Sequence, residues 1–232
     1  MIFDVQGSSL TGQGTAVSNL FTPRNAGLSG SGFGGNNKLK PLFINNMIDK
    51  FDNRYQNSII TQYETATRQF NINPWSTGYI PTNLETGNNL GTLWQVWTAK
   101  YIDTEATTEY TSRQNWHVIR LADVYLMRAE ASAEILSDPS AANTDINILR
   151  SRVEMNEIDY SSMSITQFRE EILRERAVEL YMEGHRFFDL TRFGVYDQYC
   201  RFVYGETDGA RQAEDYTWPI PIIETSTNSE ID

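Results

Sequence analysis

Apolar residues recur at helical spacing in the second half of the chain and lose that regularity in the first half. From Trp116 to about Leu136 they fall three or four residues apart, which predicts an amphipathic helix. Asp138 and Pro139 then predict the N-cap and first turn of a second helix, which runs to about Arg152. The two helices form an antiparallel pair of tetratricopeptide-like proportions, and no second copy follows at a fixed period.

A third helix is predicted from Ile165 to Met182. Ser164 and Gln167 match a capping box, and an apolar stripe follows them. Gly184 is expected to end or kink this helix, and a short helical stretch is predicted over residues 185–192.

The residue pattern in the first half of the chain predicts little regular secondary structure. Residues 2–6 read as a short strand, and residues 41–51 read as a short amphipathic helix. The Gly-, Ser- and Asn-rich segment 7–38 is predicted to be an exposed loop without a helix. Residues 52–55 are predicted to form a turn, and residues 57–111 to form loops with short strands that are unusually rich in aromatic residues.

These patterns divide the chain into three predicted regions. Residues 1–115 are loop-rich and aromatic, with short strands, and residues 116–194 form a helical scaffold. Residues 195–232 are predicted to be an extended C-terminal tail, because Pro219 and Pro221 disfavour a helix interior.

Composition excludes several classes of protein. Nineteen basic and 30 acidic residues give a net charge of −11, which disfavours binding to nucleic acid or to an anionic bilayer. A single cysteine, Cys200, excludes an internal disulfide and a multi-cysteine metal site. No apolar run reaches the roughly 18 residues that a membrane span needs. The glycine-rich run 29–35 lacks the following Lys and Ser or Thr of a phosphate-binding loop, so no such loop is predicted. Two histidines, His117 and His185, leave little for a zinc or haem site, and neither a metal nor a cofactor is predicted.

The densest charged run lies between Arg174 and Arg192. Arginines alternate with the acids here, and guanidinium groups are unfavourable among metal ligands, so we interpret the run as a structural ion-pair network. A hydrolase that uses these acids is the alternative. The hydrolase interpretation fails if the side chains of these acids point into contacts between helices, beside Arg176 and Arg186. The side chains that a metal site or hydrolase would use are Glu179, Glu183, His185 and Asp189.

The aromatic residues of segment 57–111, which we call the aromatic loop, favour sugar binding. Flat rings stack on the apolar faces of sugars, and amides satisfy the hydroxyl groups, which makes Trp75, Tyr79 and Asn73 the candidate ligand-binding residues. Large aromatic residues also fill protein cores, and Trp97 and Tyr101 resemble strand or core residues more than Trp75 does.

Several motifs, in order along the chain, resemble those of the SusD/RagB family. Residues 120–131 read RLADVYLMRAEA, and residues 175–194 carry its Glu-Arg…Glu-Gly-His-Arg-Phe-Phe-Asp-Leu signature. Residues 147–152 resemble its "iNxvRxR" motif and residues 218–221 its "lyPIP" motif, while residues 52–54 resemble its "DPR" turn with Asn in place of Pro.

This resemblance implies a mainly α-helical fold with a tetratricopeptide-like helix pair, long irregular loops and short strands. It implies a surface-exposed lipoprotein of the outer membrane of Bacteroidota that is not an enzyme. Such proteins bind glycans, sometimes peptides, and deliver them to a SusC-like TonB-dependent transporter. A helical adaptor that binds only protein is a third reading, and it would show an exposed apolar groove.

The resemblance also implies roles for particular positions. Residues 2–6 resemble a mid-chain strand of the family, so Met1 is expected to be internal to a longer chain. Residues 1–232 are then expected to be the C-terminal portion of a single SusD-like domain, and the signal peptide and lipid-bearing cysteine are expected outside it. The signature residues belong to the scaffold: Arg120, Asp123, Glu130, Arg150, Glu175, Arg176, Glu179, Glu183, Gly184, His185, Arg186, Asp189 and Arg192.

Overall fold

Helices dominate the part of the chain that the computed structural model describes, which comprises residues 2–10, 13–23, 37–39, 41–60, 62–65, 68–71, 96–106, 110–202 and 220–228. The mainly α-helical fold predicted above is confirmed. The helices are α1 (Val17–Phe21), α2 (Pro41–Met47), α3 (Asn53–Ser58), α4 (Leu121–Leu136), α5 (Asn143–Arg152), α6 (Ile165–Glu179), α7 (Arg186–Arg192), α8 (Tyr196–Phe202) and α9 (Ile222–Thr227), with a 3-10 turn (Pro139–Ala142) before α5. None of the described helices has the length and apolar content needed to cross a membrane.

The strands form three short antiparallel pairs. They are β1 (Phe3–Val5), β2 (Ile59–Ile60), β3 (Gln62–Thr65), β4 (Arg68–Asn71), β5 (Trp97–Thr98) and β6 (Trp116–Ile119). β1 pairs with β6, β2 with β5, and β3 with β4. The first two pairs join segments that are distant in sequence.

The chain divides into two units, residues 1–186 and 187–232. In the first unit, α4 packs against α5 and α6. In the second unit, the ring of Phe187 meets Tyr196 edge-on at a centroid distance of 5.2 Å. The core between α4, α5 and α6 is built from residues at helical spacing: Leu126, Ala129, Ala133, Ile146, Leu149, Phe168 and Ile172.

Local capping signals predict the helix starts well. Asp138 accepts a hydrogen bond from the Ser140 amide at the start of the 3-10 turn. The predicted capping box of Ser164 and Gln167 is present in full, and α6 begins at Ile165. Each cap involves residues within three positions of one another, so residue type and spacing within a short segment suffice to predict it.

Residues Trp116–Ile119 correct a sequence prediction. They were expected to open the first long helix, and they form β6 instead. Their partner, β1, lies more than 100 residues earlier, with Val5 opposite Trp116 and Asp4 opposite His117. Apolar spacing within the segment cannot reveal a partner at that distance, so α4 begins only at Leu121.

Two short helices replace a predicted loop and a predicted turn. α1 lies in the segment 7–38, where no helix was expected, and it buries Ser18, Asn19 and Phe21. α3 covers most of the predicted turn 52–55, because the Asp52 side chain accepts from the Arg54 amide and caps the helix.

Helix ends also differ from the prediction. α2 ends at Met47 rather than near Phe51, and α6 ends at Glu179 rather than at Met182. Met182 and Gly184 have φ values of +59° and +89°, so the chain is left-handed at both residues and cannot continue as an α-helix.

The predicted C-terminal tail contains helices in its described parts. α8 and α9 lie at residues 196–202 and 222–227, where extended chain was expected. Pro219 itself lies outside the described residues. Pro221 lies just before α9, a place where its fixed φ and missing amide proton are tolerated.

Gly184→Ala is expected to lower the free energy of unfolding by about 1–2 kcal/mol. A Cβ atom at this position would lie 3.7 Å from Cζ2 of Trp116, an ordinary contact, so the whole cost comes from the positive φ. Chemical denaturation measures it. Gly184→Asn serves as the control and is expected to cost less, since Asn tolerates this conformation better than Ala. Equal stability of the wild type and Gly184→Ala would contradict the prediction.

Candidate functional site

The candidate ligand-binding residues Asn73, Trp75 and Tyr79 lie outside the described residues. Among the described residues, potentially reactive side chains concentrate at the C-terminal end of α6. We call this group the ion cluster. Its members are Asp52, Arg54, Lys100, Arg120, Arg150, Arg152, Glu175, Glu179 and Glu183.

Glu179, the last residue of α6, lies at the centre of the ion cluster. Its Oε1 accepts hydrogen bonds from Nη1 of Arg120 and Nη2 of Arg152, both at 2.7 Å. Its Oε2 accepts from Nη1 of Arg54 at 3.3 Å and from Nη2 of Arg152 at 2.9 Å. Only 2% of its side chain is exposed. One buried carboxylate therefore meets three guanidinium groups from three separate segments.

Glu183 follows four residues later, in the turn after α6. Its Oε1 accepts from Nζ of Lys100 and its Oε2 accepts from Nε of Arg120, both at 2.6 Å. The same two cations reach main-chain oxygens at the helix end. Nη2 of Arg120 donates to the Glu179 carbonyl at 2.6 Å, and Nζ of Lys100 donates to the Glu179 and Tyr181 carbonyls at 2.9 and 3.1 Å. They satisfy carbonyls that α6 leaves free and oppose its negative dipole end.

Glu175 extends the ion cluster one turn back along α6. Its Oε2 accepts from Nη1 of Arg54 at 2.9 Å and its Oε1 accepts from Nη1 of Arg150 at 2.7 Å. Arg54 also pairs, at 2.6 Å, with Asp52, which caps α3. The four-residue spacing places Glu175 and Glu179 on one face of α6. That face therefore ties α3 and α5 to α6.

The surrounding charges set the protonation states of the ion cluster. Burial by itself raises the pKa of Glu179, but the charges of Arg120 and Arg152 outweigh it, and the pKa lies below its ordinary value. Burial lowers the pKa of Lys100 to about 8, although the nearby carboxylate of Glu183 counteracts part of that effect. At pH 7 Glu179 is therefore ionised, and most Lys100 side chains carry a proton.

A cavity of about 260 Å³ adjoins the ion cluster, and His117 and Arg152 form part of its wall. A general base or a metal ligand set needs a carboxylate oxygen that is not occupied by cations. Each side-chain oxygen of Glu179 and Glu183 accepts a hydrogen bond from Lys or Arg. Within the described ranges, no group of three or more His, Cys, Asp or Glu side chains could hold a metal ion.

The predicted ion-pair network exists, but its partners differ from those expected. Arg176 pairs with Asp123 at 2.9 Å, and both side chains are buried. Arg186 donates from Nη1 to the Leu173 carbonyl at 2.8 Å. Arg176 follows Glu175 directly and so points about 100° away around the helix. The cations that meet Glu179 and Glu183 come from distant segments instead.

The remaining signature residues are Glu130, Gly184 and His185 in the first unit and Asp189 and Arg192 in the second. Glu130 and His185 are partly buried. In the second unit, Asp189 is buried, and its Oδ1 accepts from Nη2 of Arg192 at 3.0 Å. Of the three acids in the hydrolase alternative, Glu179 and Glu183 lie in the first unit and are engaged by Arg and Lys, and Asp189 lies in the second unit.

Sequence analysis missed several members of the ion cluster. Lys100 and Arg152 were not among the signature residues, and Asp52 and Arg54 were noted only as part of a turn motif. The one available signal was the order Asp-Asn-Arg at residues 52–54, since Asp is a preferred N-cap residue. Nothing in the sequence around Lys100 indicates that it reaches the end of α6.

Comparison with known proteins gives a family match. A sequence profile of the SusD family matches residues 40–232. A SusD-like protein of Formosa agariphila is 38% identical over 96 residues, which cover 40% of this chain and 18% of that protein. The starch-binding protein SusD of Bacteroides thetaiotaomicron is 34% identical over 116 residues, 48% of this chain and 19% of that protein. The matched segments thus span about a fifth of each relative.

A solved structure supports the same assignment. A SusD homologue from Bacteroides thetaiotaomicron superposes with a TM-score of 0.64 at 26% sequence identity. The superposition covers 94% of this chain and 47% of that chain. The family profile matches well over half of the residues of this chain, and the chain therefore belongs to the SusD family.

Proposed function

We propose that this protein binds glycans, either oligosaccharides or polysaccharides, and that it is not an enzyme. The observation that carries the proposal is the SusD family match over residues 40–232. The 34% identity with a starch-binding protein supports a carbohydrate ligand. The ion cluster adds a second support against catalysis, because its glutamates are occupied by arginines and a lysine.

We also propose where the protein acts and with what. The family resemblance supports a lipid-anchored protein on the outer face of the outer membrane, beside a SusC-like TonB-dependent transporter that receives the glycan. It also supports the view that residues 1–232 form the C-terminal portion of one SusD-like domain. Co-purification of the tagged full-length protein from native membranes tests the partnership. Recovery of the protein without any TonB-dependent transporter would contradict it.

Glycan binding itself is tested with the full-length protein. Affinity electrophoresis in gels that contain starch or other polysaccharides is expected to retard the protein in at least one gel. An assay for released reducing ends on the retarding polysaccharide is expected to stay at background. Retardation by no polysaccharide would overturn the binding proposal, and release of reducing ends would favour the hydrolase alternative.

Trp75, Tyr79 and Asn73 remain the proposed ligand contacts. Trp75→Ala is expected to weaken glycan binding by roughly five- to thirtyfold, because stacking one ring on a sugar contributes about 1–2 kcal/mol by analogy with other aromatic-face contacts. Tyr79→Ala is expected to weaken it in the same direction. Isothermal titration with oligosaccharides of the bound polysaccharide measures both effects.

A matched control for these variants is Phe51→Ala. The Phe51 side chain is 70% exposed and lies outside the aromatic loop, so this variant is expected to bind like the wild type. Unchanged affinity in both Trp75→Ala and Tyr79→Ala would place the contacts elsewhere in the protein.

A further inference from the structure

The cavity beside the ion cluster, about 260 Å³ in volume, has a wall with more positive than negative charge. The charged residues of the wall are four cations and two carboxylates: Arg54, Lys100, Arg120, Arg152, Glu179 and Glu183. The protein as a whole has a net charge of −11, so the cavity is opposite to it in sign. A water molecule takes up roughly 30 Å³ of the liquid, so the space is large enough for a small organic molecule.

The complete ion cluster also carries a positive surplus. It contains five cations and four carboxylates, which leaves one positive charge unbalanced. Lys100 belongs in this count at pH 7, because its pKa of about 8 keeps most of these side chains protonated. A singly charged anion would balance the ion cluster, whereas a phosphate monoester, with about −1.5 to −2 charges at pH 7, would overcompensate it.

Three side chains of the cavity wall have hydrogen-bonding groups that no described residue uses. Nη2 of Arg152 donates to both oxygens of Glu179, but its Nε and Nη1 make no hydrogen bond within the described ranges. Nδ1 of His117 is buried and has no hydrogen-bond partner there either. The Ser58 carbonyl accepts from the Tyr181 hydroxyl, while the Ser58 hydroxyl makes no bond to a described residue.

The other cations of the wall are fully engaged. The three protons of the Lys100 ammonium group meet three acceptors at 2.6–3.1 Å. All three guanidinium nitrogens of Arg120 donate to Glu179 or Glu183 at 2.6–2.7 Å. The side chain of Arg152 differs from these because it is 52% exposed, and it can therefore reach a molecule that enters from solvent.

We propose that this cavity is a binding site for a carboxylate group, with Arg152, His117 and Ser58 as its contacts. A carboxylate carries one negative charge and only accepts hydrogen bonds, which matches the charge surplus and the guanidinium, hydroxyl and imidazole donors of the wall. The group belongs either to a free organic acid or to an acidic sugar. The site goes beyond the proposed function, since it uses none of the proposed glycan contacts.

Titration of the full-length protein with sodium acetate, D-glucuronate and D-glucose tests the proposal. The imidazole NMR signals of His117, identified by their loss in His117→Phe, report on this cavity. They are expected to shift saturably with acetate and with glucuronate but not with glucose. Added sodium chloride is expected to weaken both interactions, because salt screens the attraction between the charges. Tighter binding of glucuronate than of acetate would identify an acidic sugar, and equal binding a simple organic acid.

Arg152→Gln is expected to weaken acetate and glucuronate binding about tenfold, because it removes a charge-assisted hydrogen bond. Arg169→Gln is the matched control and is expected to bind both anions like the wild type. Arg169 also pairs with a glutamate and is similarly exposed, at 47%, but it does not line this cavity.

Ser58→Ala provides a second test that does not disturb the ion cluster. The variant is expected to melt like the wild type, since the Ser58 hydroxyl makes no bond to a described residue, and to bind about threefold more weakly. The proposal is overturned if neither anion shifts the His117 signals saturably, or if glucose shifts them as much as glucuronate does. Wild-type affinity in folded Arg152→Gln would also overturn it. A failure to bind any polysaccharide would overturn the proposed function and leave this site unaffected.

Discussion

Glu179→Gln is expected to lower the free energy of unfolding by about 3–5 kcal/mol, the cost of removing one charge from a buried ion pair. Glutamine keeps the shape of the side chain but removes its charge, and it leaves three guanidinium groups without their shared anion. Arg54 and Arg120 are themselves largely buried and cannot be fully hydrated in compensation. Urea denaturation followed by circular dichroism measures the loss.

Glu134→Gln is the matched control for this prediction. Glu134 also lies near the end of a helix and pairs with an arginine, Arg169, at 2.6 Å, but both side chains are substantially exposed. Exposed pairs contribute little because water screens them, so the change should be several-fold smaller. Similar losses in the two variants would show that Glu179 contributes no more than a surface ion pair.

Acid is expected to destabilise the protein as the pH falls below about 4.5, the ordinary pKa of a glutamate. In the folded protein the pKa of Glu179 is lower than in the unfolded chain, so the unfolded chain binds a proton first as the pH falls. Stability from Glu179 is therefore fully present above the unfolded pKa and is lost as the pH falls through the folded pKa. Asp103 contributes in the same direction: burial raises its pKa, but hydrogen bonds from Arg113 outweigh that, and the pKa lies below its ordinary value.

The pH dependence is measured by urea denaturation at several pH values between 7 and 3. Glu179→Gln is expected to show a shallower decline than the wild type, because the group that takes up the proton is gone. The exposed Glu170→Gln serves as the control and is expected to decline as steeply as the wild type. A decline in Glu179→Gln identical to that of the wild type would mean that other carboxylates control acid unfolding.

Predictions from the sequence succeed where the signal is local. The Ser164–Gln167 capping box, the Asp138 cap and the short strand at residues 3–5 all appear in the structure. Trp97 and Tyr101, which resembled strand or core residues, are buried. In each helix cap the interacting groups lie within a few residues of each other, so spacing and residue type suffice to predict the contact.

Predictions fail where a distant segment decides the outcome. Trp116–Ile119 has helical apolar spacing, yet it forms β6 because β1, more than 100 residues earlier in the chain, offers hydrogen-bond partners. The cations expected beside Glu179 were Arg176 and Arg186, but Arg176 pairs with Asp123 and Arg186 donates to the Leu173 carbonyl. The arginines that do pair with Glu179 come from segments up to 125 residues away.

By itself, the sequence establishes the family and the mainly α-helical scaffold, because ordered motifs, helix caps and apolar periodicity are written in short stretches of residues. Only the tertiary structure decides that Arg54, Lys100, Arg120 and Arg152 converge on Glu179 and Glu183. A charge in the sequence has no defined partner until folding brings segments together and excludes water between them. Burial then makes each pairing specific. Removing one partner of a buried ion pair leaves an unpaired charge and costs about 3–5 kcal/mol.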